Sequence, residues 1–309
     1  METTWDCTIV GGGAAGLSAA LMLGRARRRT LLIDAGEPSN RHAHGVGGLL
    51  GHDGRPPAEL YALGREQLGR YTSVEVRDGE VVGGERIGDR FTLTLADGSR
   101  ELTRRVLLAT GMDYRPPAVP GVEQLWGTTV FHCPFCHGWE VRERPLGVLD
   151  DNPDSGVHRA LLLRFWSDDV VLFTNGPSTL DAAARERLWA ANVAVDERRV
   201  ERLVADDAGA LAAIAFADGT QAERNGLLVP APLHQRSALA EQLGATPSPE
   251  PGPVAVDPVA VDQMFLTAAP GVFAAGDLSG TMPSVPNAMA AGATAGAMVV
   301  QSLMAEQRG

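Results

Sequence analysis

Two cysteines and a histidine lie together in residues 131–140, FHCPFCHGWE, and their types and spacing predict redox or ligand chemistry. Cys133, Cys136 and His137 form the string Cys-x-x-Cys-His. This string is typical of a c-type haem attachment site, of half a zinc site, or of a dithiol that cycles through a disulfide. The three residues alone do not separate these interpretations, so the surrounding elements must decide between them.

A glycine-rich turn near the start of the chain indicates a dinucleotide site. The strand CTIV is followed by GGGAAGLSAALML and then by the strand TLLID. Gly11, Gly13 and Gly16 give G-x-G-x-x-G between a strand and a helix, and Asp34 ends the second strand. Such glycines let the backbone approach a pyrophosphate at the helix N-terminus, while the carboxylate accepts from a ribose hydroxyl. The pattern predicts a βαβ dinucleotide-binding unit.

A second βαβ unit is predicted downstream, without the glycines. It begins at the strand LGVLDD, continues through a helix near 155–166 and ends in the strand VVLFT. Asp150, Asn152 and Ser155 stand where the first unit has its three glycines. The predicted fold class is therefore α/β, with two Rossmann-like domains of which the second is degenerate.

Two proline-rich runs are predicted to mark the crossings between these domains. They are RPPAVPG at 115–121 and TPSPEPGPVAVDP at 246–258. We therefore predict a discontinuous first domain, residues 1–116 and 243–309, and an inserted central domain, residues 117–242, that carries the cysteine motif.

Charge and composition limit the partners. The formal net charge of −11 argues against nucleic acid or an anionic membrane as a partner. The N-terminal METTWDCTIVGGG has no basic region followed by an apolar stretch, so no signal peptide is expected and the cytoplasm is the default location. The small apolar stretch from Ala288 to Ala305 is predicted to be a packed helix and not a membrane span. Three cysteines do not make a disulfide framework, and Cys7 is predicted to be a buried strand residue.

Four motifs, in their order and spacing, resemble those of the low-molecular-weight thioredoxin reductase family. They are GGGAAG, LLATG near 110, the central Cys-x-x-Cys and GVFAAGD near the end, so the resemblance covers essentially the whole chain. It implies non-covalent FAD in the first domain and a homodimer, with Asp277 on the ribityl chain and residues 285–287 against the flavin ring. The predicted cofactor-binding residues are Gly11, Gly13, Ala14, Ala15, Gly16, Asp34, Ala35, Asn40, Arg41, Val81, Ala109, Thr110, Gly111, Gly276, Asp277, Val285, Pro286 and Asn287.

The interpretation of the cysteine motif follows from this context. Haem attachment needs export and an axial partner, whereas zinc needs four ligands and the chain has no second cysteine pair. A redox dithiol is therefore favoured, and no metal site is predicted. The resemblance implies that Cys136 faces the flavin and that Cys133 meets the substrate. A Cys-x-x-Cys at a helix start lowers the thiol pKa, as this chemistry requires.

Two departures from the thioredoxin reductase pattern change the predicted activity. His137 replaces the usual Asp after the second cysteine and is predicted to take a thiol proton; the alternative is that it only packs beside the motif. The second nucleotide fingerprint is LDDNPDSG, and the stretch LFTNGPS after the next strand has no arginine for a 2′-phosphate. With these departures the chain resembles the flavin-dependent dithiol oxidases of gliotoxin- and holomycin-type natural products.

That resemblance implies a small-molecule dithiol as substrate and O2 as electron acceptor, giving H2O2 without NADPH. Three alternatives stay open at this point. They are an NADPH-dependent thioredoxin reductase, a related reductase fed by ferredoxin or a second flavin, and a non-enzymatic flavin-binding regulator. The sequence does not name the dithiol. His42, His44 and His52 are predicted at the surface, with the flavin edge or the substrate mouth as the alternative, and Trp139 packs either on a substrate ring or on the core.

Overall fold

The computed structural model describes residues 4–250, 252–280 and 282–306, which fold into two compact units. The first unit takes the described residues up to Arg41, Arg55–Tyr114, and those from Pro232 onward. The second takes His42–Gly54 and Arg115–Ala231. The α-helices of the described residues are, in chain order, α1 (Ala14–Arg25), α2 (Pro57–Leu68), α3 (Val122–Leu125), α4 (Pro134–His137), α5 (Pro153–Leu163), α6 (Ala182–Ala190), α7 (Leu239–Gln242) and α8 (Val285–Glu306).

The first unit is built on a parallel sheet of five strands. Their order across the sheet is Val272–Ala274, Val106–Leu108, Cys7–Val10, Thr30–Asp34 and Val74–Asp78. A four-stranded sheet in the order Thr4–Trp5, Arg100–Thr103, Arg90–Leu95 and Val81–Ile87, and an antiparallel pair formed by Met112–Tyr114 and Leu233–Gln235, complete its strands. A short 3₁₀ helix, Gly276–Ser279, follows the strand that ends at Ala274.

The second unit repeats this plan. Its five-stranded parallel sheet has the order Val130–Phe131, Gly226–Leu228, Leu146–Leu149, Val170–Phe173 and Val193–Asp196. The strands Val200–Ala205, Leu211–Phe216 and Gln221–Glu223 form its antiparallel sheet. In both units the central strand leads into a helix and then into its neighbour, which is the βαβ arrangement of a Rossmann-like domain. The prediction of an α/β fold with two such domains is confirmed.

The central strands form because their residues are apolar on both faces. Cys7–Val10 and Leu146–Leu149 are buried at every position, as expected when helices cover both sides of a parallel sheet. The predicted strands CTIV and TLLID match the observed Cys7–Val10 and Thr30–Asp34. The helix predicted near 155–166 is α5, which begins two residues earlier because the Asn152 side chain caps it.

Helix α8 packs against α1 through glycine. A Cβ atom at Gly292 would lie 2.0 Å from the Ala15 carbonyl oxygen, and one at Gly296 would lie 2.8 Å from that of Ala19. Helix α8 is long and apolar enough to cross a membrane by length and composition alone. Its glycine face is nevertheless used for helix–helix packing, as the sequence predicts. This packing fixes the first turn of α1, where the nucleotide fingerprint lies.

The domain boundaries differ from the sequence-based division at two places. The second crossing lies at Ala231/Pro232 and not at 243, because Leu233–Gln235 pairs with Met112–Tyr114 inside the first unit. Residues 42–54, assigned by sequence to the first domain, belong to the second unit. Their contacts with the cysteine motif explain this, and no local composition shift marks them in the sequence.

Candidate functional site

The predicted cofactor residues of the first unit converge at the carboxyl edge of its parallel sheet. Val10 pairs with Ile33 and with Leu108, and Leu108 pairs with Ala274, so these strands end level with one another. The segments that follow them contain the glycine turn, Asp34, the Ala-Thr-Gly of residues 109–111 and the Gly-Asp of 276–277. Ligands of open α/β sheets bind at this edge.

The three fingerprint glycines have three different surroundings. Gly11 has a φ of +106°, and a Cβ atom there would lie 2.2 Å from the Ala109 carbonyl oxygen. At Gly16 a Cβ atom would lie 1.8 Å from the Gly11 carbonyl oxygen, so this glycine permits the close packing of α1 on the turn. A Cβ atom at Gly13 would meet nothing within 4 Å. Gly13 therefore opens onto free space at the start of α1, where a pyrophosphate is expected.

Asp34 holds the glycine turn in place. Its Oδ1 accepts from the backbone N–H groups of Gly12 and Gly36, at 3.0 and 3.2 Å, and Arg65 donates to Oδ2 at 2.5 Å. Since each carboxylate oxygen has two lone pairs, only Oδ2 keeps one for the predicted ribose hydroxyl. The sequence pattern did not indicate that Asp34 also organises the turn, nor that Arg65 is its partner.

Asp277 is paired with a residue that sequence reasoning missed. The Tyr114 hydroxyl donates to Asp277 Oδ2 at 3.0 Å. Burial raises the pKa of the Asp277 carboxyl, and the hydrogen bond from Tyr114 opposes this shift. Tyr114 lies far from Asp277 in sequence, so no local signal could have indicated it. The Oδ1 atom of Asp277 makes no hydrogen bond to the part of the chain that the structure describes.

The remaining predicted cofactor residues are spread more widely. Asn40 Oδ1 accepts from the Tyr61 hydroxyl at 3.0 Å, and Arg41 pairs with Glu37. Val81 begins a strand of the four-stranded sheet and is buried in the core. The others lie beside the turns already described or at the ends of α1 and α8: Ala14, Ala15, Ala35, Thr110, Gly111, Val285, Pro286 and Asn287. The contacts predicted for these residues with a cofactor stay predictions.

The cysteine pair lies in the second unit. Cys133 precedes α4, and Pro134 is the first residue of that helix. Cys136 Sγ donates to Cys133 Sγ at 2.9 Å, and both side chains are half-buried. The pKa of the Cys133 thiol is lowered to about 7, first by this hydrogen bond and then by the backbone N–H groups of residues 135 and 136, against the opposing effect of burial. A Cys133 thiolate is thus stabilised near neutral pH, which suits thiol–disulfide exchange.

His137 directly follows Cys136, is half-buried, and has a fixed ring. Its Nε2 lies 3.0 Å from the Gly127 carbonyl oxygen, and the ring stacks on Phe131. A carbonyl can only accept, so Nε2 carries the proton and the lone pair is on Nδ1. Nδ1 is buried and no described residue meets it at hydrogen-bond geometry. Burial is the main cause that lowers the pKa of His137, and the Gly127 carbonyl opposes it. The Cys133 backbone also raises the pKa of His137, so the ring lies against the redox turn. A neutral imidazole nitrogen can accept a proton.

Residues 42–54 lie against the redox motif. A Cβ atom at Gly47 would lie 2.8 Å from the Cys136 carbonyl oxygen, and one at Gly127 would lie 3.0 Å from the His42 Cβ. His42 and His44 are exposed, as predicted, whereas His52 is half-buried. The positive charge of His44 is one of the effects that lower the pKa of His137. The segment therefore forms part of the wall of the redox site, which the sequence did not reveal.

The turn that replaces the second glycine fingerprint is filled by its own side chains. Asp150 is buried and accepts from the Asn152 backbone N–H at 3.0 Å, from Ser155 Oγ at 2.7 Å and from the Arg159 guanidinium. Asn152 Oδ1 accepts from the backbone N–H groups of Asp154 and Ser155. The N–H groups that a pyrophosphate would use are therefore occupied. Within the described ranges no cluster of three or more His, Cys, Asp or Glu side chains is arranged to hold a metal ion.

The comparisons with known proteins agree with this geometry. Residues 5–292 match the family model described as pyridine nucleotide-disulphide oxidoreductase. The chain belongs to this family. Its members and the thioredoxin reductase relatives are FAD-binding flavoproteins, and the chain is a flavin-dependent thiol–disulfide oxidoreductase. The resemblance found in the sequence motifs is confirmed.

Individual relatives match over nearly the whole chain. Thioredoxin reductase tcpT of Claviceps purpurea (strain 20.1) is 33% identical over 98% of this chain and 96% of its own. The crystal structure of HlmI is 38% identical, with a TM-score of 0.91, covering 99% of this chain and 95% of that one. The crystal structure of the oxidoreductase from Agrobacterium tumefaciens is 36% identical, also with a TM-score of 0.91, covering 98% and 99%.

The residues of this family member fit FAD. Among the described residues no side chain caps α1 and its first turn carries no acid, so its N–H groups face the open space beside Gly13. Asp277 Oδ1 is available to accept a hydroxyl. These are the two groups of contacts, pyrophosphate and sugar alcohol, that a flavin dinucleotide requires.

Gly13→Val is expected to abolish FAD binding without unfolding the protein. The new side chain enters the open space at the start of α1 and contacts no other residue, so the cost falls on the ligand. Flavin absorbance per chain and thermal unfolding of the apoprotein measure the two effects. Gly83→Val is the control, because a Cβ atom there also meets nothing closer than 3.8 Å. Full flavin occupancy in the Gly13 variant contradicts the assignment.

Alkylation of the reduced protein is expected to report the lowered Cys133 pKa. Because the thiolate is the reacting form, the rate of iodoacetamide labelling at Cys133 rises with pH around a midpoint near 7. Cys136→Ala removes the sulfur donor and moves that midpoint up toward the ordinary value. Peptide mass spectrometry identifies the labelled cysteine. Cys7, whose pKa is raised by burial, is the internal control and labels only after unfolding. A wild-type midpoint near 9 contradicts the assignment.

Proposed function

We propose that this flavoprotein is a dithiol oxidase. It closes an intramolecular disulfide in a small-molecule dithiol and passes the electrons to O2, giving H2O2. The observation that carries the proposal is that the second unit keeps the redox pair while Asp150 fills the place of the nucleotide pyrophosphate. The similarity to thioredoxin reductase tcpT supports the thiol–disulfide chemistry of this assignment. A homodimer and a cytoplasmic location belong to this proposal as predictions.

The exchange starts from the Cys133–Cys136 disulfide. A substrate thiolate attacks Cys133 Sγ, the Cys133–Cys136 bond breaks, and Cys136 leaves as a thiolate. The second substrate thiolate attacks the substrate sulfur of this mixed disulfide, which releases the cyclic product and the Cys133 thiolate. The substrate loses two protons and two electrons, and the electrons stay on the cysteine pair. Bound FAD supplies the two-electron chemistry that restores the disulfide and passes the electrons to O2.

His137 supplies the base in this scheme. Its Nε2 proton is held by the Gly127 carbonyl, so Nδ1 is the atom that takes up a proton. Burial lowers the pKa of the ring, and it is therefore neutral at pH 7 and ready to accept. The backbone N–H groups of residues 135 and 136 lower the pKa of Cys133, so its thiolate is in turn a good leaving group.

The lost nucleotide contacts favour this activity over an NADPH-dependent reductase. Asp150 and Arg159 neutralise each other inside the turn, and Asn152 takes the helix N–H groups. The stretch 174–178 offers no arginine to a 2′-phosphate. A hydrogen bond to a charged group contributes about 1.5–3 kcal/mol. Losing two such contacts weakens binding by about two to four powers of ten, since about 1.4 kcal/mol is tenfold.

Small dithiols are expected to reduce the flavin, and NADPH is not. Anaerobic stopped-flow spectroscopy with dithiothreitol and with NADPH compares the two donors directly. In air, the protein should release one H2O2 for each disulfide formed, measured by oxygen uptake and peroxide yield. Rapid bleaching by NADPH would return the protein to the thioredoxin reductases. Bleaching by dithiol without peroxide would indicate a protein electron acceptor such as ferredoxin.

His137→Ala is expected to keep FAD and fold but lose about 10²–10⁴ in kcat. The rate should partly recover at high pH, where thiols ionise unaided. In the wild type the rate falls as pH drops below the lowered pKa of the ring, and this acidic limb should disappear in the variant.

Two further variants separate base catalysis from packing. His137→Gln keeps a donor for the Gly127 carbonyl but has no basic nitrogen, so it should be as slow as His137→Ala. His158→Ala, an exposed histidine on α5, should leave the rate unchanged. Full activity in His137→Gln would make the ring a positioning group.

A further inference from the structure

An aromatic side chain stands between the two redox cysteines and remains open to water. Phe135 lies in α4 between Cys133 and Cys136 and is 68% exposed. An exposed phenyl ring in a reactive turn adds nothing to the core, because its burial is small. Single exposed apolar side chains are common on protein surfaces. Phe135 differs from the others in its place between two reactive sulfurs, where a ligand that undergoes exchange must approach.

Trp166 fixes the position of that ring. The two rings meet edge to face, with centroids 5.3 Å apart and planes at 85°. Trp166 follows the end of α5; its backbone N–H donates to the Leu163 carbonyl and its carbonyl accepts from Glu143. A Cβ atom at Gly138 would lie 2.9 Å from the indole Cδ1 and Nε1 atoms. The indole therefore occupies the space that Gly138 leaves beside the redox turn.

The neighbouring ring is already engaged. Trp139 is 66% exposed, but the Arg142 guanidinium lies over its ring at 3.8 Å from the centroid. Arg142 also donates to the Trp139 carbonyl at 2.5 Å. Among the described residues no cation stacks on Phe135, and Trp166 supports its ring from one side.

We propose that Phe135, held by Trp166, is a specificity-determining residue that takes the flat apolar ring of an aromatic dithiol beside Cys133. This inference rests on the proposed function and names the class of its substrate. A substrate sulfur that reaches Cys133 brings its own scaffold close to Phe135, because the Phe135 backbone N–H donates to the Cys133 sulfur. Two rings then pack face to edge or offset, which an aliphatic dithiol cannot do.

The size of the surface favours a small molecule over a protein. One aromatic side chain offers at most about 150–250 Å². A stable protein interface needs about 800 Å² on each partner. A single ring with one supporting neighbour therefore suits one ring of a ligand, and a protein partner or a second copy of this chain becomes an outcome for the experiment to detect.

The test isolates the exchange step in a Cys136→Ser background. Cys133 thiolate attacks a probe disulfide, one half of the probe stays on Cys133 as a mixed disulfide, and the other half leaves as a thiol. The probes are 2,2′-dithiodipyridine, which is aromatic, and bis(2-hydroxyethyl) disulfide, which is aliphatic. Mass spectrometry follows the mixed disulfide, and the readout is the ratio of the aromatic rate to the aliphatic rate.

Phe135→Ala is expected to lower this ratio about 3- to 10-fold, the range expected for one lost aromatic contact. Trp166→Ala should lower it in the same direction, because Phe135 loses its support. The control is Trp189→Ala, which removes an 81% exposed aromatic ring from α6 and should leave the ratio unchanged.

Three results would overturn the inference. An unchanged ratio in Phe135→Ala means that no ring packs there. An equal loss with both probes means that Phe135 only holds the cysteine turn. A change of oligomeric state in sedimentation assigns the ring to a subunit contact. The exchange needs neither FAD nor O2. A missing peroxide yield would therefore contradict the proposed function and leave the inference about Phe135 standing.

Discussion

Parallel strand pairing is the constraint on which the chemistry of this protein depends. In a parallel sheet all carboxyl ends meet at one edge, so turns from distant parts of the chain lie side by side there. The first unit uses this edge to bring the glycine turn at 11–16 next to the turns at 109–111 and 276–277. The second unit shares the order of four of these five strands, differs in its edge strand Val130–Phe131, and places polar side chains in the corresponding turn. The carboxyl edge of the sheet thus offers a cofactor site in the first unit and is filled by side chains in the second.

Burial acts on the two reactive groups in a complementary way. Withdrawal from water lowers the pKa of His137, because it disfavours the charged ring. The same withdrawal would raise the pKa of Cys133, but hydrogen bonds from Cys136 Sγ and two backbone N–H groups outweigh it. Both pKa values are therefore lowered, by different causes. The ring is neutral at pH 7, and the thiol is partly ionised there.

The sequence revealed what depends on local pattern. Gly11, Gly13 and Gly16 carry their meaning in their spacing, and buried strands such as Cys7–Val10 are recognisable from four apolar residues in a row. The cysteine motif is contiguous, so its chemistry could be proposed directly. Asp150 could be recognised as unusual because a glycine is expected at that position, directly after the first strand of a nucleotide-binding βαβ unit.

Contacts between distant residues could not be predicted in the same way. Tyr114 reaches Asp277 across more than half the chain, and nothing near either residue indicates the pair. The sequence around Gly47 gives no sign that this glycine lies against the Cys136 carbonyl. The crossing at Ala231 was misplaced because the proline-rich run is a stronger local signal than a three-residue strand. The hydrogen bond, the glycine contact and the domain crossing all depend on contacts between residues that are distant in sequence.

The filled turn of the second unit has an evolutionary consequence. Asp150 hydrogen-bonds to Asn152, Ser155 and Arg159, so a change at Asp150 disturbs the contacts of the other three. A single reversion to glycine at position 150 would leave the Arg159 guanidinium without its carboxylate while Asn152 still covers the helix N-terminus. Several substitutions would have to occur together before a nucleotide gained anything. If the proposed function holds, single substitutions can therefore change the substrate of this protein more readily than they can open the second unit to a nucleotide.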